Sequence, residues 1–380
     1  MAQNRMFFVD NIRLSMIVLV LFDHAAVTYS GVGGWYYRDP AVPGPLDVLI
    51  LVFGETLCQS FFMGALFALA GYYAAASLER KGVREFVAGR LVRLGAPTLL
   101  YAAAINPLTV YYLANVNDAQ RISEQVSFAA YYRIYVTGLG FMDGTGPMWF
   151  ALALLIFCLI YAALAAVTPQ RLKTTKRRPL TAGLVVSMIL ACAAGAFAIR
   201  LVQPVGTTVC NMQLGHFAQY ILLFVFGTAA WAGDWLRTAD RRLGRGCLAV
   251  AVAGAPVCAW LLAFGAGGRF ELVSGGPHWQ SLVFALWESM TGVCMTVGLI
   301  AVLRETWNRQ GRLAAAMSDG AFAVYVFHPP IMVALARGLA RFQMPILAKC
   351  LILFLVSVPV CFGAARILRR MPIVGGLVRQ

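Results

Sequence analysis

Charge is what this sequence has least of: Asp, Glu, Lys and Arg make up 12% of its 380 residues, while 60% are hydrophobic and the mean hydropathy is +0.74. That balance excludes an ordinary soluble domain and indicates an integral membrane protein. No stretch alternates apolar and polar residues with the period of an outer-membrane strand, which leaves helices as the spanning element. Met1 to Arg13 lacks the basic start, short apolar core and small-residue cleavage site of a removable signal, because the apolar run continues to about Thr28. The first span is therefore expected to stay in place. No soluble domain, low-complexity linker or internal repeat is visible. Residues 1–380 read as a single transmembrane domain, and the missing repeat disfavours the inverted-repeat transporter folds.

Cysteine and histidine supply little chemistry of the metal-binding kind. The nine cysteines form no CxxC or Cys/His ligand pattern and read as small apolar side chains, so no metal is expected. Acidic residues are outnumbered 16 to 31 by Lys and Arg, giving a net charge of +15. Distribution decides what that excess means. The cations cluster between apolar runs: Arg80, Lys81, Arg84, Arg90 and Arg93; Arg171, Lys173, Lys176, Arg177 and Arg178; Arg237, Arg241, Arg242 and Arg245; Arg304, Arg309 and Arg312; Arg366, Arg369, Arg370 and Arg379. Every second loop is basic, which the positive-inside rule explains with both termini in the cytoplasm and without nucleic acid.

The result is an all-α, polytopic transmembrane helical bundle. Ten spans fit hydropathy and loop charge: 12–30, 52–78, 94–114, 147–168, 181–202, 214–233, 246–265, 281–303, 319–339 and 346–366. Leu46 to Phe53 is expected to lie flat at the outer interface. Asn115 to Gly146, with Asn117, Asp118, Arg121, Glu124, Gln125, Tyr131, Tyr132, Arg133 and Tyr135, reads as an outer element on the bundle mouth. Trp35-Tyr36-Tyr37, Trp149-Phe150 and His278-Trp279 mark the outer boundaries as an aromatic belt.

Against this apolar background, ionisable residues inside spans are candidates for function. Arg13 and His24 lie eleven residues apart in the first span, on nearly one helix face and roughly 16 Å apart along the axis. That places a cation near one surface and an imidazole near mid-depth. Asp23 or Asp10 is a candidate to orient His24 for proton transfer, against the plainer reading of His24 as packing glue between helices. Arg90 and Arg93, three apart at the entry of the third span, form a fork suited to phosphate, although arginines there also serve topology. Glu288 is a lone carboxylate within a span, catalytic or a paired structural acid. Tyr325 and His328 precede Pro329-Pro330, which is expected to interrupt the helix and free carbonyls that line a polar cavity. Pro147-Met-Trp149-Phe150 opens the fourth span, with Trp149 facing lipid headgroups or a substrate. His216 and His278 sit near span ends and read as interface residues.

The Arg-x10-His pair Arg13/His24, the Arg-x-x-Arg pair Arg90/Arg93, the Pro-Met-Trp-Phe start of span four and the Tyr-x-x-His-Pro-Pro of span nine resemble the membrane-bound acyltransferase-3 family, in motif order and span number from Arg5 to about Arg370. Asn211-Met-Gln-Leu-Gly-His-Phe-Ala-Gln-Tyr220 and Gln280 to Glu288 look closest to its glucan biosynthesis protein C branch, associated with succinylation of periplasmic glucans. The resemblance implies an enzyme of the bacterial inner membrane that moves an acetyl or succinyl group from cytoplasmic acyl-CoA to a hydroxyl of an extracytoplasmic glycan. It implies His24 and Arg13 as catalytic, joined by Asp23 and Glu288 from the reading of the spans. Arg90, Arg93 and Arg13 would hold the donor, and Asp10, Trp149, Tyr325 and His328 would line the substrate pocket. Asp23 departs from the small or aromatic residue that many members carry before the histidine. The implied partners are membrane lipids, acyl-CoA and the glycan acceptor. A transporter or flippase of a glycan or lipid-linked substrate is the alternative, since it too needs charged residues within its spans.

Overall fold

In a medium without water each apolar run satisfies its backbone by hydrogen bonds within itself, and this chain accordingly folds as helices. The computed structural model describes residues 5–115, 124–168, 179–267 and 269–378. The readings of Asn117, Asp118 and Arg121, of Arg171, Lys173, Lys176, Arg177 and Arg178, and of Arg379 fall outside the described residues. Two helices open the described chain, α1 (Phe7–Ser30) and α2 (Pro45–Leu113), followed by the short α3 (Phe128–Thr137). Then come α4 (Gly146–Val167), α5 (Ala182–Arg200), α6 (Leu214–Gly233), α7 (Arg241–Gly265), α8 (Trp279–Thr306), α9 (Arg312–Leu339) and α10 (Ile346–Leu368). All but α3 are long and apolar enough to cross a membrane, nine helices among the described residues.

Among the described residues the nine helices give ten arms, because α2, 69 residues long, turns back on itself. Gly82 leaves helical conformation at φ 75, ψ 170, a region essentially reserved for glycine. Beyond it the second arm returns: Asn115 exchanges hydrogen bonds with the backbone of Arg38, in the loop just before α2 begins, and Arg337 donates to the Leu113 carbonyl. Arg5 and Arg93 line one cavity near the turn, and the helix Pro372–Val378 rests against the Leu91–Gly95 segment. Both ends of the described chain therefore lie at the arginine-rich end of the bundle.

Burial sorts the spans. Two thirds of the α1 and α8 windows are enclosed, against 22% for α5, whose Val186 and Leu190 stand exposed as a lipid-facing surface requires. α2 and α6 approach closely: a Cβ on Gly227 would stand 1.9 Å from the Ala68 carbonyl oxygen, and one on Gly71 2.2 Å from that of Phe224. Small residues bring the backbones together, the usual source of attraction where lipid is as apolar as leucine.

Three expectations change. Leu46 to Phe53 is not a separate interfacial piece, because it continues α2 unbroken from a Pro45 start capped by Asp47 on the Gly44 N–H. Pro329 and Pro330 do not interrupt α9, which runs through them. Finally, α1 begins at Phe7 rather than Ile12, so His24 stands about 26 Å along it and only about 9 Å from Ser30. It stands toward the end of α1 opposite Arg13.

Candidate active site

Near the Ser30 end of α1, His24 meets two aromatic rings. Trp35 stacks on it with centroids 3.9 Å apart and planes 14° from parallel, and His328 of α9 lies 5.1 Å away at 11°. Trp35 and His328 are 6.1 Å apart, so the rings form a closed, offset cluster and not a linear sandwich. His24 keeps 19% of its side chain open, and its Nδ1 is 3.9 Å from Asp23 Oδ2, too long for a hydrogen bond. Glu55 of α2 is buried within reach of the Asp23 charge, with Oε1 unpartnered among the described residues.

The prolines explain how His328 is held. Pro329 has no N–H for the Tyr325 carbonyl four residues back. The His328 Nδ1 stands 2.9 Å from that oxygen and 3.1 Å from that of Val324. Carbonyls only accept, so Nδ1 carries the proton, and the buried Nε2 is left bare among the described residues. The freed carbonyl thus fixes a tautomer where the sequence reading expected it to line a cavity. Tyr325 donates its hydroxyl to the Pro147 carbonyl, tying α9 to the start of α4.

Trp35 is carried on the loop between α1 and α2, and that loop is fastened on several sides. Tyr36 donates to Asn106 Oδ1 at 2.7 Å and touches the Tyr101 hydroxyl at 2.9 Å. Burial pushes the Tyr36 hydroxyl above its ordinary range, which keeps it a donor. Gly146, at φ 48, makes room for it, since a Cβ there would stand 2.3 Å from the Tyr36 oxygen. Lys349 of α10 reaches both Asp39 oxygens at 3.2 and 3.3 Å in a buried ion pair. Trp35 and Tyr37 are therefore packed against protein and do not form the expected lipid-facing belt, whereas Trp279 is half exposed and fits it.

At the opposite end, Arg13, Arg90 and Arg93 converge on a cavity of about 380 Å³. Arg5, Arg80 and Lys81 join them, facing only Asp10 and Asp319. The sequence pairs two arginines as a fork; the fold makes six cations around one space. Leu91 to Gly95 is a π-helical turn, a local widening common at functional sites, and Arg90 packs its guanidinium 5.0 Å over the Phe86 ring. Asp10 accepts from Arg5 Nε at 2.8 Å and lies 3.8 Å from Arg13. It belongs to this cavity and is fourteen residues, about 21 Å, from His24 along α1, so orienting His24 falls to other groups.

Glu288 sits in a third polar centre. Its carboxylate accepts from Arg200 Nη2 and contacts His216 Nδ1 at 2.6 Å, with all three side chains buried. Arg200 also donates to the Gly215 carbonyl at 3.0 Å and lies over the Phe284 ring. His216 is thereby a buried partner of Glu288, not the interface residue expected from its place near a span end. Tyr220 borders this centre, with Trp149 stacked on it at 5.7 Å and Gln59 donating to its hydroxyl at 2.8 Å. Trp149 thus packs inside an aromatic cluster, 6.3 Å from Phe150, whose ring in turn meets that of Tyr325.

Arg13, Arg90 and Arg93 share one cavity, and His24 is joined by rings that its sequence neighbours do not announce. Trp35 was read as belt, and Arg200 and Glu55 were not singled out. Glu55 carried the signal that flagged Glu288, a carboxylate inside an apolar run. All nine cysteines are free thiols, eight of them buried, and no group of three or more His, Cys, Asp and Glu side chains is placed to hold a metal among the described residues.

Residues 6–366 match the acyltransferase-3 family model, described as an acyltransferase domain. No curated protein and no solved structure matches the chain.

Proposed function

We propose, from the premise that the chain belongs to the acyltransferase-3 family and is thus a membrane acyltransferase of groups other than amino-acyl groups, that its donor is acyl-CoA and its acceptor a hydroxyl of an extracytoplasmic glycan. The observation that carries this reading is the convergence of Arg13, Arg90 and Arg93 in one cation-rich cavity at the far end of the helix that bears His24. Guanidinium groups bind phosphate oxygens bidentately, which suits the phosphates of coenzyme A. From there a flexible arm has roughly 16 Å to cover along α1 before its thioester meets the imidazole.

His24 acts as general base in this reading. It takes the proton of the acceptor hydroxyl as the oxygen attacks the thioester carbonyl; the new C–O bond forms, the C–S bond breaks, and the thiolate recovers the proton from the imidazolium. Arg13 holds the donor, Asp23 lies 3.9 Å from the imidazole as a counter-charge, and His328 borders the acceptor side. Both oxygens of Glu288 are engaged by Arg200 and His216, which favours a structural role. The loop charge supports both termini in the cytoplasm, and the family resemblance favours a bacterial inner membrane. The Asn211 to Tyr220 and Gln280 to Glu288 segments favour the glucan biosynthesis protein C branch, with succinyl or acetyl as the group moved. Membership of an enzyme family displaces the transporter alternative.

Mass spectrometry of surface and periplasmic glycans from cells carrying the wild-type chain, the deletion, or His24→Ala at equal expression tests this reading. We expect one acyl increment, lost in both mutants, whose mass identifies the group. Unchanged glycans in the deletion would move the search to other acceptors, and full acylation by His24→Ala would remove the histidine from the mechanism.

A further inference from the structure

A general-base histidine is ordinarily oriented by a hydrogen bond on its second nitrogen. His24 has none: its Nδ1 is buried and bare among the described residues, and Asp23 is too far to supply one. What touches the imidazole instead is the face of Trp35 at 3.9 Å and the near-parallel ring of His328 at 5.1 Å. Each of these rings is itself held from elsewhere. Trp35 sits on a loop pinned by Tyr36 to Asn106, by the Arg38 backbone to Asn115 and by Asp39 to Lys349. His328 is held by its Nδ1–H on the carbonyl that Pro329 leaves free.

We infer that Trp35 and His328 are the positioning residues of this enzyme, setting the angle of the His24 imidazole by ring contact in place of a hydrogen bond. The inference rests on the reading of His24 as the base. Pro329 then has a function of its own: by withholding an N–H from the Tyr325 carbonyl it leaves that oxygen to anchor His328. Trp35 acts as cover and guide together, since stacking a flat indole on the ring limits both its rotation and its access to water.

The test uses the full-length protein in membranes, with Trp35→Ala, Trp35→Phe, His328→Ala, Pro329→Ala and His24→Ala compared at equal protein level and thermal midpoint. One readout is glycan acylation. The other is carbethoxylation by diethyl pyrocarbonate, mapped by mass spectrometry at His24 and normalised to the exposed His278, which needs no acceptor and no turnover. We expect Trp35→Ala to speed labelling of His24 several-fold and to lower transfer by roughly 10- to 100-fold, the usual cost of a misplaced catalytic group. Trp35→Phe, which keeps a flat ring, restores slow labelling and most of the transfer. Pro329→Ala gives the Tyr325 carbonyl a backbone donor again, so it lowers transfer without lowering the thermal midpoint. Unchanged labelling and transfer in Trp35→Ala and Pro329→Ala overturn the inference while leaving His24 as base. Full transfer by His24→Ala rejects the base instead, and the labelling result still reports whether Trp35 holds the ring.

Discussion

Arg200 is fully buried yet charged, and a cation without water depends on its partners. Glu288 supplies the opposite charge, His216 stands 3.3 Å away, and the Gly215 carbonyl accepts a hydrogen bond from the Nε–H. Removing one member of a buried pair strands the other, at a cost of about 3–5 kcal/mol, whereas replacing both by apolar groups is often near neutral. Arg200→Met is therefore expected to lower the thermal midpoint of the solubilised protein sharply. Arg200→Met combined with Glu288→Leu recovers part of the loss. A double variant as unstable as the single one would argue that Glu288 does more than balance Arg200. His24 makes the opposite contrast, because no hydrogen bond or strong ion pair fixes it, and its replacement is expected to affect transfer and not folding.

Among the helices, α2 depends most on a single conformation. Its two arms place Arg80 and Lys81 on one side of Gly82 and Arg90 and Arg93 on the other, so the turn assembles much of the cavity. A Cβ at Gly82 would meet nothing within 4 Å, so space is not the constraint there. The backbone angles are, since side-chain-bearing residues rarely adopt them, at about 1–3 kcal/mol. Gly82→Ala is expected to destabilise the folded protein by that amount, read as a lower thermal midpoint, and to weaken donor binding in parallel. Loss of stability with unchanged donor binding would show that the turn does not set the arginines. The proline pair of α9 illustrates a similar rule with the opposite outcome: a missing N–H in a packed bundle is repaired by a side chain, here His328, and the helix continues.

Across the whole molecule, chemistry is divided between the two ends of α1. Cations gather where both ends of the described chain lie, and the ring cluster gathers beneath the α1–α2 loop at the other end. The predicted separation of roles follows. Arg90→Ala with Arg93→Ala is expected to raise the KM for acyl-CoA by about tenfold or more, from the loss of charge-assisted hydrogen bonds. The turnover at saturating donor should stay close to wild type, because the imidazole is remote. Added salt should raise the wild-type KM more than that of the double variant, since screening acts on the charges that the variant lacks. A fall in turnover with unchanged KM would place these arginines at the reacting atoms instead.

Much of this was legible in the residue order because a bilayer imposes a one-dimensional rule. The all-helical class and the approximate places of the apolar spans follow from where water is absent. The Arg13 and His24 face was legible too, since helix pitch alone places them. Contacts between spans were not, because any face of a helix can turn toward any neighbour. Packing alone brought Trp35 onto His24, buried His216 against Glu288 and drew Arg5, Arg80 and Lys81 to the arginine fork. The start of α1 was a tertiary result too, since the helix reaches back to Phe7, where Asn308 accepts from the Phe8 N–H and the carbonyls of Trp307 and Arg309 accept from the Asn11 amide. Hydrophobicity fixes how often the chain crosses; only the close packing of side chains decides which polar groups meet inside.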